Sequence, residues 1–179
     1  MVATLVLGFA GDPVERWLYP RADDYLRHFP RFLTAFGGPA FDRGTVWQRA
    51  DHGAVAVWLP PGAEPDGEAL ATLLTDTVAP GKHGDLFAVL DQMADAHPTY
   101  PHWYLPWLGV DPAAQGNRLG TGLLATCLEV VDADGLPAYL ETPNPRTIPF
   151  YQRQGFRTVG RAAAGSCPPI TCMLRPPAV

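Results

Sequence analysis

No apolar run in this chain approaches the ~20 residues that a membrane-spanning helix needs. The apolar opening, MVATLVLGFAGDPVERW, has no basic leading region and no convincing cleavage site, so it reads as structure and not as a signal peptide. Cysteine is scarce. Cys127, Cys167 and Cys172 are an odd set of three, which is no disulfide framework. Cys167 and Cys172 stand close enough in sequence to pair or to share a metal, but no His/Cys cluster accompanies them. The expectation is buried or partly buried thiols in a reducing cytoplasm, with no metal. Positive charge is also in short supply. Thirteen Lys and Arg against eighteen Asp and Glu leave a formal net charge of -5. That argues against a nucleic-acid binder and fits neutral or cationic small-molecule partners. Two nucleotide motifs are missing as well: Gly-x-x-x-x-Gly-Lys-Ser/Thr is absent, and no glycines fall in the G-x-G-x-x-G spacing of a dinucleotide fold.

What is present is a globular composition, 47% hydrophobic and 17% charged over 179 residues. It predicts one domain, 1–179, with a sizeable core. Twenty prolines and eighteen glycines are spread as punctuation and mark neither a linker nor a repeat.

Asp12-Pro13 starts a short helical turn over Val14 to Leu18, with Asp12 as N-cap and Pro13 at the first helical position. Tyr25, Leu26, Phe29, Phe32, Leu33 and Phe36 lie on one face of a second helix. Pro30 threatens to kink it, and Gly37-Gly38-Pro39 is read as its end. Thr45 to Arg49 and Ala54 to Leu59 are strands of a hairpin turning at Asp51-His52-Gly53. Helices follow over Glu68 to Val78, capped by Asp66, and Asp85 to Ala96, closed by His97-Pro98. His102 to Val110 is a central strand in which Pro106 marks a bulge or a parting from a neighbour. Leu119, Leu123, Leu124, Cys127, Leu128 and Val131 form a helical stripe ending near Gly135. The remaining elements are a strand at Ala138 to Glu141, a short helix at Arg146 to Gln154, and strands at Phe156 to Arg161 and Ile170 to Arg175. The order predicts a mixed sheet in which the helix over Arg118 to Val131 joins two parallel strands by a right-handed crossover.

Between that central strand and the helix lies Gln115-Gly116-Asn117-Arg118-Leu119-Gly120-Thr121-Gly122. A strand passing through a small-residue loop into a helix start leaves backbone N–H groups without intrahelical partners. With the helix dipole they form a site for an anion such as a pyrophosphate. On the loop alone, a plain tight turn explains the pattern equally well.

The second half of the chain weighs against the plain turn. HWYL, LGVDP, the loop Gln115 to Gly120, Asn144 with Tyr151, and PFYQRQGF together resemble the GNAT superfamily of acetyl-CoA-dependent N-acetyltransferases. HWYL, LGVDP, LETPNPR, PFYQRQGF and the ending TCMLRPP together are similar to its puromycin N-acetyltransferase-like members. The resemblance is specific over about Tyr100 to Pro176 and looser over Asp12 to Pro61. It implies an α/β (α+β) fold with a mixed central sheet flanked by helices. The usual first strand would be missing, with Val2 to Phe9 helical, as for a late start codon or a shortened chain. The family loop reads Gln/Arg-x-x-Gly-x-Gly/Ala, and Arg118 stands where its first glycine is expected.

The resemblance also implies site roles. Acetyl-CoA would be held by Leu108, Gly109 and Val110, by Gln115, Gly116, Asn117, Arg118, Leu119, Gly120 and Thr121, and by Asn144. Tyr151 would be the acid beside the sulfur. Glu141 is the first candidate for the base and His102 the second, with water a third route. Each has a structural alternative: a core tyrosine, a salt-bridge partner and a satisfied half-buried histidine. Trp17, Tyr19, Tyr25, Phe29, Trp103 and Trp107 read as core more readily than as a substrate box. Arg146 and Arg153 are either solvated or within reach of a phosphate. The expected activity is acetyl transfer to a small-molecule amine in the cytoplasm, with no nucleic-acid or membrane partner. A homodimer is common in such proteins and unfixed here. A CoA-binding domain with a regulatory or degenerate role is the competing reading, and the glycine spacing disfavours a nucleotide-dependent oxidoreductase.

Overall fold

The computed structural model describes residues 1–49 and 52–177. Among them are helices α1 (Val2–Gly8), α2 (Pro13–Leu18), α3 (Ala22–Asp42), α4 (Gly67–Thr77), α5 (His83–Ala96), α6 (Leu119–Ala133) and α7 (Ile148–Arg153). The strands are β1 (Val46–Gln48), β2 (Ala54–Leu59), β3 (Trp103–Val110), β4 (Ala138–Thr142), β5 (Arg157–Ala162) and β6 (Ile170–Arg175). They form one sheet in the order β1-β2-β3-β4-β6-β5. Only β3 and β4 pair in parallel, and α6 is the crossover between them. This is the mixed sheet flanked by helices that the sequence implied.

Helices cover both faces of the sheet, which is why β2 is buried along its whole length. Val55, Val57 and Leu59 face a core shared with α1, α3 and α4. Ala54, Ala56 and Trp58 face a second core built on Leu124, Cys127 and Val131 of α6. In the first core Phe9, Phe29, Phe32 and Phe36 meet Trp107 edge to face, at ring centroid distances of 5.3, 5.7, 5.6 and 5.8 Å. Each such pair adds about 0.5–1.5 kcal/mol to the burial of its surface.

The caps at α2 and α4 are as expected. Asp12 Oδ1 accepts from the amides of Val14 (2.9 Å) and Glu15 (3.2 Å), and Asp66 Oδ1 accepts from Ala69 at 3.0 Å. Helix α3 departs from expectation. It runs through Pro30 and straight through Gly37-Gly38-Pro39 to Asp42. The two prolines each remove one intrahelical bond, but a buried face of Tyr25, Phe29, Phe32, Leu33, Gly37 and Ala40 holds the helix together. Gly37 is a contact and not a stop: a Cβ there would sit 3.1 Å from Val57 Cγ1 of β2. Helix α7 starts at Ile148 and not at Arg146, because a turn at Asn144 claims the amides of Arg146 and Thr147. The strand expected at Phe156 to Arg161 begins one residue later, and β1 is shorter than the expected Thr45 to Arg49. Asp51 of the expected hairpin turn lies outside the described residues. Val2 to Gly8 is helical, and no strand precedes β1 among the described residues. No helix there is long and apolar enough to cross a membrane.

Two features of β3 shape the space beside it. Val57 pairs with Trp107 while Leu59 pairs with Tyr104, so β3 carries an extra residue at Leu105-Pro106. The parallel pairing with β4 stops at Tyr104 opposite Tyr139. Beyond that point the two strands separate. Helix α1 lies across the far half of β3, where two facing glycines permit the approach. A Cβ on Gly109 would fall 2.9 Å from Leu5 Cδ2, and one on Gly8 would fall 3.1 Å from the Val110 amide nitrogen.

Candidate functional site

The parting of β3 and β4 opens a cleft of about 670 Å³. Leu108, Gly109 and Val110 form one wall, and Gln115, Gly116, Arg118, Leu119, Gly120 and Thr121 form its floor at the start of α6. From Leu105 to Val110 the β4 side of β3 has no strand partner. The Val110 carbonyl accepts from Gln115 Nε2 at 3.3 Å, and the remaining backbone polar groups on that side have no strand to pair with. The first amides of α6 have no carbonyl four residues back within the helix, so they face the same space with the positive end of the dipole. Arg118 takes φ 57° and ψ 18°, the left-handed conformation. That is the physical need behind a glycine at this position, and an L-residue meets it at a cost of about 1–2 kcal/mol. Of the loop residues expected at the site, Asn117 alone does not line the cleft.

Asn144 and Tyr151 close the other side. The Asn144 side chain accepts from the Arg146 amide at 3.0 Å, and its carbonyl accepts from Thr147, whose hydroxyl also meets Thr142 Oγ1 at 2.7 Å. This turn delivers α7 with Tyr151 pointing its ring into the second core, 5.9 Å from Phe156. The Tyr151 hydroxyl makes no hydrogen bond among the described residues, and the residue lines the cleft. Burial, reinforced by the Asp12 charge, pushes its phenol above the usual tyrosine range. It stays protonated at any working pH and is a donor.

Glu141, on β4, has a side chain only 6% exposed. It lines the cleft, a small pocket of about 100 Å³, and a third, larger and more open cavity of about 1010 Å³. His97 Nδ1 lies 3.6 Å from Glu141 Oε1, and His97 Nε2 is 2.9 Å from His102 Nε2. His102 Nδ1 bonds the Tyr100 carbonyl at 2.8 Å. The row Glu141–His97–His102 thus leads from the cleft toward the open cavity. His102 lines that cavity and not the cleft, and burial lowers its pKa. His97, which the sequence offered only as a helix end, is the residue in between.

A family profile described as the Acetyltransferase (GNAT) family matches residues 23–156. This chain belongs to the GNAT acetyltransferase family. An uncharacterized N-acetyltransferase of Schizosaccharomyces pombe is 26% identical over 174 residues, 86% of this chain and 68% of the relative. A mycothiol acetyltransferase of Streptomyces avermitilis is 29% identical over 125 residues, 65% of this chain but only 34% of that protein. Among solved structures, a histone acetyltransferase HPA2 and related acetyltransferase from Corynebacterium glutamicum superposes with a TM-score of 0.64 at 24% identity. That match covers 99% of this chain and 90% of the other, and it bears on the fold. GNAT acetyltransferases use acetyl-CoA, and an open strand edge leading to a helix N-terminus suits a pantetheine arm and a pyrophosphate.

The small pocket of this GNAT chain was not legible as a site in the sequence. Phe9, Phe32, Phe36, Tyr104 and Trp107 wall it, and Asp12, Glu15 and Glu141 supply its charge. Local sequence marks Asp12 as a helix cap and Glu15 as a residue of the turn that follows, and neither as part of a site. Asp12 is 8% exposed and its pKa is raised to about 6, chiefly by burial. Glu15 is 4% exposed, its Oε2 has no partner, and burial with the Asp12 charge raises its pKa well above the carboxylate range. Of the aromatics expected in the core, Tyr19, Tyr25, Phe29, Trp103 and Trp107 are buried, and Trp107 also faces this pocket. Trp17 is half-buried and donates to Ser166 Oγ at 3.2 Å. Arg146 lines the cleft, whereas Arg153 does not. Cys127, Cys167 and Cys172 are free and buried, and burial pushes Cys127 and Cys167 up to about 11.

Proposed function

We propose that residues 1–179 work as one acetyl-CoA-dependent N-acetyltransferase domain acting on a small amine, within a reducing cytoplasm. The observation that carries the reading is the convergence on one cleft of the unpaired edge of β3, the N-terminus of α6, Tyr151 and Glu141. The edge at Leu108 to Val110 would hold the pantetheine arm and donate to the thioester carbonyl, where oxyanion charge develops. The amides at Leu119 to Thr121, with Gln115 and Gly116, would hold the pyrophosphate. Arg118 and Arg146 add positive charge, and Asn144 sets the turn that aims Tyr151.

The acceptor arrives as an ammonium ion and must lose a proton before it can attack. Glu141 takes that proton, and His97 and His102 provide a path for it to solvent. The neutral nitrogen then attacks the carbonyl carbon, the C–S bond breaks, and the Tyr151 hydroxyl donates to the departing sulfur; the proton that the attacking nitrogen must shed to become an amide returns Tyr151 to its protonated form. The products are the N-acetyl amine and free CoA thiol. The motifs LETPNPR and PFYQRQGF favour a puromycin N-acetyltransferase-like branch within the family.

Thermal stabilisation by acetyl-CoA against NAD tests the coenzyme, and thiol release over an amine panel tests the reaction. A shift with NAD alone would reject the reading. Coenzyme binding with no acetylated product from any amine would favour a non-catalytic CoA-binding domain.

A further inference from the structure

The small pocket holds two acidic centres where a single ammonium needs one. Asp12 and Glu15 form the first, on α2 and its cap. Glu141 on β4 forms the second. They sit apart: Glu141 also borders the open cavity, which neither Asp12 nor Glu15 reaches, and Glu15 lines the small pocket alone. Among the groups whose pKa is shifted, Tyr104, Tyr139, His102 and Cys172 feel Glu141, whereas Tyr19, Tyr25 and Tyr151 feel Asp12 or Glu15.

Glu141 has His97 beside it, but Glu15 Oε2 is buried with no partner. Asp12 commits Oδ1 to two backbone amides, which leaves Oδ2 without a hydrogen bond among the described residues. No Lys, Arg or His lines the pocket among the described residues. Such a buried pair with an orphan oxygen ionises only at a cost unless a cation meets it, and among the described residues lining the pocket none does. The aromatic walls favour positive charge over their faces. Asp12 lines both the pocket and the coenzyme cleft, so the pair lies within reach of a ligand whose other end is at Glu141.

We propose that the acceptor is a dication: a compact diamine, or an amine with a second cationic group on a short apolar spacer. The reacting nitrogen sits at Glu141, and Asp12 with Glu15 holds the second charge. This rests on the acetyl-transfer reading for the role of Glu141. The space of about 100 Å³ suits a short spacer with its far ammonium. A larger acceptor would carry the rest of its bulk in the open cavity, which shares Phe36, Leu90, Met93, Tyr104 and Glu141 with the pocket.

The test is calorimetric titration of α,ω-diaminoalkanes, from ethylenediamine to cadaverine, into the CoA-loaded protein, each against the n-alkylamine of equal length. Acetyl transfer to the same amines is followed in parallel. At least one diamine should bind about tenfold or more tighter than its monoamine, a ratio one extra desolvated charge contact supplies. In Glu15→Gln, and separately in Asp12→Asn, that ratio should fall toward one while CoA still raises Tm. Equal binding of diamines and monoamines by the wild-type protein overturns the inference. So does a diamine preference that survives both substitutions. Diamine binding without acetyl transfer would sink the acetyltransferase reading and leave the second-charge site standing. Transfer to monoamines without diamine preference would do the reverse.

Discussion

Replacing Asp12 by Asn should stabilise the protein at neutral pH, against the usual cost of altering a helix cap. Asn caps a helix about as well as Asp, so the bonds to Val14 and Glu15 survive the change. What the substitution removes is a buried charge. The folded-state pKa of Asp12 is about 6 against an ordinary 3.8. At 1.36 kcal/mol per unit, that difference is about 3 kcal/mol. Because the pKa is raised, the favourable contribution of the protonated acid is complete below 3.8 and is lost as pH climbs through 6. Relative to wild type, Asp12→Asn should be neutral near pH 3 and more stable by up to about 3 kcal/mol near pH 7.5. In a domain of this size that is roughly 6–12 °C in Tm. Glu15 works in the same direction, since the Asp12 charge is one of the two causes raising its pKa. Urea denaturation across this pH range reads the effect directly. An equal loss of stability at every pH would mean that Asp12 acts as a cap alone, and the argument from its burial would be wrong.

The other predictions concern the chemistry and the backbone. Tyr151→Phe should lower kcat by about 10²-fold or more while the affinity for acetyl-CoA stays unchanged, and unchanged turnover would remove the acid assignment. Glu141→Gln should cut kcat/KM by a similar factor near neutral pH and recover as pH rises, because free amine then arrives already deprotonated; a flat deficit across pH would contradict the role of base. Arg118→Gly should raise folding stability by about 1 kcal/mol by relieving the left-handed residue, and should weaken acetyl-CoA binding in a salt-sensitive way; a drop in Tm would contradict the strain. Gly109→Ala should cost about 1–3 kcal/mol, since the methyl meets Leu5 Cδ2 at 2.9 Å and Leu5 Cα at 3.3 Å, and a neutral result in thermal denaturation would show that α1 is free to shift.

Local signals carried the sheet and the coenzyme half of the site. The stripe from Leu119 to Val131, the Asp12 and Asp66 caps and the bulge at Pro106 each follow from side-chain type and spacing over a few residues. The Gly37-Gly38-Pro39 segment misled because local propensity marks a stop where tertiary packing onto β2 demands a small residue. The acceptor pocket was illegible for a related reason. Asp12 and Glu15 lie on the same turn, but what makes them chemically unusual is burial beside a pocket whose other walls, Phe32, Trp107 and α5, are distant in sequence. His97 likewise gains its meaning only when β4 brings Glu141 to 3.6 Å. The odd Arg118 was visible as a departure from the family loop, and its left-handed backbone supplies the physical content of that departure.

The most direct test of the central claim is product analysis with acetyl-CoA and a panel of small mono- and diamines. Released CoA thiol and acetylated amine are quantified together, for the wild type and Tyr151→Phe. The account predicts one thiol per acetyl-amine in the wild type, and loss of both in the variant with coenzyme binding intact. Thiol release without any acetylated amine, or equal product from the variant, would contradict it.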